Sequence, residues 1–190
     1  MTAAALAAAP GNHTVIKALF VDLAGVLLDD APPQSARGHG CGLRGGVGAA
    51  LRLLDRLDYR VLILAPCALD RRQGARIAPD RLDSLLCREG IHLAGVCCCG
   101  ATVAPCADCP PAPGLLLRAA RTYGLAMEAA WLLASSTRFL HAGQQAGCRT
   151  ILIGSEPAEP AEPAEPPGPV AYRSRDIVDA ALAIVRIDRA

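Results

Sequence analysis

The sequence predicts an α/β domain, a doubly wound three-layer parallel sheet, and three observations carry that reading. Short apolar runs alternate with helix-period segments along the 190 residues, the order expected of strands joined by crossover helices. The first run, residues 15–21 (VIKALFV), is β-branched and apolar, as a strand buried on both faces must be. The composition is 52% hydrophobic but only 3% aromatic. The core is therefore built from Ala, Leu, Val and Ile, which suits helices packed on a sheet. A chain of this length fits one domain with room for a proper core.

Taken in order, residues 15–21 form the first strand, ended by Asp22. Residues 31–48 are rich in Gly and Pro and read as a loop. Residues 47–57 place apolar side chains at helical spacing, with Arg52, Asp55 and Arg56 on the other face. RVLIL at 60–64 is the second strand. Residues 79–89 form a helix with Asp80 and Arg81 in its first turn and Leu82, Leu85 and Leu86 on one face, closed by Gly90. A strand at 91–98 leads to a Cys- and Pro-rich loop at 97–113, and a helix at 114–123 stops at Gly124. A strand at 131–133, a helix at 139–146, a strand at 149–153, a strand at 170–172 and a helix at 176–187 complete the pattern. Residues 155–169 hold three Glu-Pro-Ala triplets and further prolines, an extended solvated loop. Residues 1–14 are expected to form a disordered tail, and 15–190 the domain.

Formal charge is +1, from 19 basic and 18 acidic residues spread along the chain. That leaves no electrostatic footprint for nucleic acid or an anionic membrane. The Ala-rich start lacks a basic segment and runs into Gly11, Asn12 and His13, unlike a secretory signal. No apolar run approaches the roughly 20 residues that span a bilayer. The expected compartment is the cytoplasm, where the nine cysteines read as thiols or metal ligands rather than disulfides.

In open parallel sheets ligands bind at the carboxyl ends of the strands. The first strand ends in Asp22-Leu23-Ala24-Gly25-Val26-Leu27, which resembles the first motif, Asp-x-Asp-Gly-Thr-Leu, of the haloacid-dehalogenase (HAD) phosphatases. Ala142-Gly143-Gln144-Gln145-Ala146-Gly147-Cys148-Arg149-Thr150 is similar to a segment of the histidinol-phosphate and heptose bisphosphate phosphatases within that group. The resemblance runs over residues 16–187. It implies an Asp nucleophile, a second Asp two residues on as general acid and base, a Thr or Ser and a Lys on the phosphate, and further Asp residues on Mg²⁺.

Asp22 holds the nucleophile position, but its partner is Ala24, which can neither donate nor accept a proton. The phosphate-binding hydroxyl of the second strand is replaced in Ala65-Pro66-Cys67. The segment Pro110-Pro111-Ala112-Pro113-Gly114-Leu115 lacks both lysines of its counterpart. The metal-binding Gly-Asp and the Asp four residues later read Ala134-Ser135 and Phe139. These replacements remove electrostatic and nucleophilic groups outright. The expected function is therefore that of a catalytically degenerate HAD-like protein acting by binding, with an unidentified protein or a small phosphorylated metabolite as partner and no magnesium site. The alternative is a phosphohydrolase acting on a heptose bisphosphate or similar phosphomonoester, with Asp22 as nucleophile and Asp29, Asp30 or Asp70 supplying lost functions.

Five cysteines fall within residues 97–109. The resemblance implies a structural zinc here, held by Cys-x-His and Cys-x-Cys pairs, although the His position falls on Ala101. Cys97, Cys99, Cys106 and Cys109 could still supply four thiolates to a tetrahedral zinc; the other reading is a set of small buried thiols. The glycines at 38–48 lack the Gly-Lys-Ser/Thr of a phosphate cradle. His92 and His141 are isolated, and no cation is placed by sequence to activate Cys67.

Overall fold

The computed structural model describes residues 15–28, 42–65, 79–99, 106, 108–154 and 172–189. Six strands, β1 (Ala18–Asp22), β2 (Arg60–Leu64), β3 (Leu93–Cys97), β4 (Trp131–Ala134), β5 (Arg149–Ile153) and β6 (Tyr172–Ser174), form one sheet in the order β3-β2-β1-β4-β5-β6. Every neighbouring pair is parallel. Parallel strands need crossovers, and the helices α1 (Val47–Asp55), α2 (Pro79–Arg88), α3 (Gly114–Tyr123), α4 (Thr137–Ala146) and α5 (Ile177–Ile187) cover both faces.

The two-residue period of the strands divides the core. Leu19, Val21, Val61, Ile63, Trp131 and Leu133 pack with α1, α2 and α5, whereas Phe20, Leu62, Leu64 and Leu132 pack with α3 and α4. In α1 the buried positions Val47, Ala50, Leu51 and Leu54 follow the helical period. The predicted three-layer architecture is therefore the observed one.

Several ends shift by one to three residues, β1 covering Ala18–Asp22 rather than 15–21 and β3 Leu93–Cys97 rather than 91–98, and three further local features differ from the sequence reading. A π-helical turn, Leu23–Leu27, follows β1 directly, and Leu28 then bridges Leu43. Helix α4 begins at Thr137, not 139, because the Ser136 hydroxyl accepts from the Phe139 N–H at 3.5 Å and caps it. The last strand is Tyr172–Ser174, set by pairing of Ile151 with Tyr172. The expected tail at 1–14 and the loop at 155–169 lie outside the described residues. Among the described residues, no helix is long and apolar enough to cross a membrane.

A polar cluster ties the chain end to the sheet. Asp188, just past α5, accepts hydrogen bonds from Tyr59 Oη, from Arg149 Nη1 at 2.8 Å and from Trp131 Nε1 at 3.4 Å. Lys17 Nζ stands 4.0 Å away. The Arg149 guanidinium lies 4.3 Å from the Trp131 ring centre.

Candidate functional site

The carboxyl ends of β2, β1 and β4 lie side by side, with Asp22 paired to Leu64 and Val21 to Leu133 in register. Ala65, Asp22 and Ala134-Ser135 therefore come together at one edge, as the motif order predicts. Asp22 is 4% exposed. Its Oδ2 accepts from Ser135 Oγ at 3.1 Å and faces Ser135 N at 3.5 Å. The Leu23–Leu27 turn folds back over the same place, so closely that a methyl group on Gly25 would overlap Ser135 Oγ. Ser135 thus occupies the space beside the carboxylate that the resemblance assigns to a second, metal-holding Asp.

Among the described residues, one group of three or more His, Cys, Asp or Glu side chains converges closely enough for a metal. That group is Cys99, Cys106 and Cys109. Among the described residues, the hard oxygen donors at these strand ends are the Asp22 carboxylate and the Ser135 hydroxyl, the ligand class that holds magnesium. Asp29, Asp30 and Asp70, the acids named as replacements, lie outside the described residues, as do Pro66 and Cys67. His92 is exposed and His141 half-buried.

One cation at this edge escaped the sequence reading. Arg138, in the first turn of α4, donates from Nη2 to the Pro110 carbonyl at 2.8 Å. It ties the helix to the Pro-rich segment at 110–115. Its place three residues after Ser135 was the available signal, but an exposed Arg in a first helical turn reads as solvated surface.

The thiol group lies where β3 gives way to the loop before α3. The three sulfurs of Cys99, Cys106 and Cys109 all fall within 4.8 Å of one another, and Cys99 Sγ is 2.8 Å from Cys109 Sγ. The Cys106 thiol is held below its usual range, first by its hydrogen bond with Cys109 and then by the Asp108 backbone. Cys97, which the sequence grouped with them, ends β3 and lies in the core with Leu115, Leu116 and Ala119. Burial there, with the neighbouring Cys98 adding, pushes its thiol up to about 11, so it stays protonated at neutral pH. Sulfurs sharing a tetrahedral zinc at about 2.3 Å sit roughly 3.8 Å apart. The three gathered thiols offer three of the four donors of such a shell, although Cys99 and Cys109, 2.8 Å apart, stand closer than its edge.

The loop is braced from α3. Arg118 donates from Nη2 to the Cys98 carbonyl at 2.7 Å and ion-pairs with Asp108. The two ends of the loop are thereby tied to a single side chain.

No protein-family model matches the sequence, and no curated protein does. Solved structures match the fold. D,D-heptose 1,7-bisphosphate phosphatase from B. bronchiseptica, complexed with magnesium and phosphate, superposes with a TM-score of 0.68 at 19% identity, over 90% of this chain and 99% of that one. A putative HAD-like phosphatase from Mesorhizobium loti gives 0.68 at 20% identity, over 91% and 87%. The heptose bisphosphate phosphatase from Burkholderia thailandensis gives 0.59 at 15%, over 89% and 98%. The fold of this chain is HAD-like.

Proposed function

We propose that this chain, a HAD-like domain, no longer turns over phosphomonoesters and acts by binding, as a partner or regulatory subunit. The observation that carries the reading is the Ser135 hydroxyl, 3.1 Å from Asp22 Oδ2, standing in the position of a metal-holding carboxylate. A phosphate ester arrives with formal negative charge, and a carboxylate nucleophile adds to it. Without Mg²⁺ or Lys between them the two repel. Ala24 supplies no acid or base, and that loss alone costs on the order of 10² to 10⁴ in rate.

The second reading, a phosphohydrolase for a heptose bisphosphate or similar small phosphomonoester, is favoured by one feature. Asp22 still ends β1 at the edge where open sheets hold ligands, and two of the matched structures are heptose bisphosphate phosphatases. A small phosphorylated metabolite held without turnover is the intermediate case. We place the protein in the cytoplasm, apart from nucleic acid and membranes. Within this reading Cys99, Cys106 and Cys109 form a thiolate site for zinc, with its fourth ligand supplied from elsewhere. Zinc content of purified wild type compared with Cys109→Ser tests that part.

The activity test is a panel of heptose, histidinol and other sugar phosphates with Mg²⁺, run beside Asp22→Asn. The expected result is no hydrolysis above background, and no rise in Tm with Mg²⁺ at about 10 mM, since a ligand stabilises only as it binds the folded state. Turnover that vanishes in Asp22→Asn would restore the enzyme. Turnover equal in both proteins marks a contaminant.

A further inference from the structure

We infer that Cys99 and Cys109 form a dithiol pair that low-molecular-weight disulfides oxidise, making this pair a site of reversible covalent modification. The pair is set by geometry. Cys99 Sγ and Cys109 Sγ are 2.8 Å apart, closer than the roughly 3.8 Å edge of a zinc tetrahedron. Both sulfurs are presented by braced backbone. Cys97 O, two residues before Cys99, accepts from Ala65 N at 2.9 Å, and Cys109 N donates to Cys106 O at 3.0 Å. Arg118 holds the Cys98 carbonyl and Asp108 together.

Access differs among the three. Cys99 is 4% exposed, whereas Cys106 and Cys109 are half-buried and reach solvent. An incoming disulfide therefore meets Cys106 or Cys109 before Cys99. The Cys109 thiolate attacks the disulfide RSSR, forming Cys109–S–S–R and releasing RS⁻. The Cys99 thiolate, 2.8 Å away, then attacks Cys109 Sγ, expelling the second RS⁻ and leaving a Cys99–Cys109 bond. In balance two protein thiols lose two electrons and two protons, and RSSR becomes two RSH.

The product links the end of β3 to the turn that precedes α3. It fixes Pro110, whose carbonyl is held by Arg138, at the edge that carries Asp22. This goes beyond the binding role and does not depend on it. A zinc ion and a disulfide exclude each other at these sulfurs, so bound zinc would protect the pair.

The test uses the full chain, stripped of metal by a chelator, reduced, and equilibrated in glutathione buffers of stepped ratio. Alkylation and peptide mapping then locate each cysteine. The expected result is a Cys99–Cys109 disulfide with Cys87, Cys97, Cys98 and Cys148 still alkylated. Cys106→Ser should still form the same bond; Cys109→Ser should not form it. Zinc added before the oxidant should suppress it. A chain that stays reduced across the whole series, a bond between other cysteines, or loss of the bond in a folded Cys106→Ser variant would overturn the inference. Wild type alone decides the first two outcomes, so a variant that fails to fold leaves the test intact.

Discussion

Removing the Asp188 carboxylate tests how the chain end is held to the sheet. In Asp188→Ala, Tyr59 Oη, Trp131 Nε1 and Arg149 Nη1 all lose their acceptor. Hydrogen bonds to a charged group contribute about 1.5–3 kcal/mol each, but the three share one carboxylate and do not add. Solvent also recovers part of the loss, because the Arg149 side chain is 34% exposed while that of Asp188 is 13% exposed. The expected cost is about 2–3 kcal/mol, below that of breaking a fully buried pair. For a chain of this size it lowers Tm by about 5–10 °C. Trp131 is the sole tryptophan and is buried beside the deleted group, so its fluorescence reports urea unfolding directly. The acid limb gives a second readout. Burial alone pushes Asp188 up, but the Tyr59 hydrogen bond, the charge of Arg149 and the hydrogen bonds from Arg149 and Trp131 outweigh it and hold the carboxyl below its usual range. A depressed carboxylate stabilises the fold above its unfolded pKa, and that stability is lost as pH falls through the folded value. Asp188→Asn should therefore be less stable at neutral pH and show a flatter decline into acid. A loss under about 0.5 kcal/mol, the scale of an ordinary surface change, or an acid slope identical to wild type would refute the argument.

Two glycines carry the remaining predictions. Gly25→Ala drives a methyl group into Ser135 and should cost about 1–3 kcal/mol; in the double variant with Ser135→Gly, urea unfolding should show part of that cost recovered, since the residues share one space. Additive losses would mean that the turn moves away independently. At Gly143 in α4 a Cβ would meet Leu132 Cδ2 at 2.6 Å and Thr150 Cγ2 at 2.9 Å. Gly143→Ala should therefore lift the helix from β4 and β5, for a similar loss in thermal unfolding, and a variant as stable as wild type would contradict so close a packing.

What the sequence disclosed follows from which forces act locally. β2, α3 and β5 are read correctly at both ends because an apolar run or helical period meets a polar or glycine boundary there, as at Gly124, which takes φ 64° beyond α3. The turn Leu23–Leu27 was hidden because five residues of LAGVL offer no period to read. The site divides in the same way. Motif spacing placed Asp22 and Ser135 at one edge, but the hydrogen bond between them depends on the packing of Gly25. Cys97 ends β3 in the core, and the close thiol group of Cys99, Cys106 and Cys109 does not include it, a division that spacing alone does not show. Asp188 gave no signal, because its partners come from residues 17, 59, 131 and 149, distant in sequence and joined only by the sheet.

The distribution of charge between the two ends of the sheet supports a binding role. Catalytic edges hold groups that conflict in the resting protein, such as paired carboxylates or buried lysines, and the fold bears that cost because the chemistry requires it. Here the described part of the carboxyl edge carries little such conflict. Asp22 is hydrogen-bonded by Ser135, Ala65 and Ala134 stand at the neighbouring strand ends, and the nearby cation, Arg138, is engaged by a backbone carbonyl. Among the described residues, the opposite end holds the denser polar network, Asp188 with Tyr59, Trp131 and Arg149, and those contacts join α5 to the strands. Among the described residues, polar chemistry is thus concentrated where it secures the architecture. Under the binding role proposed above, that pattern belongs to a scaffold whose surface, rather than its cleft, is the working part.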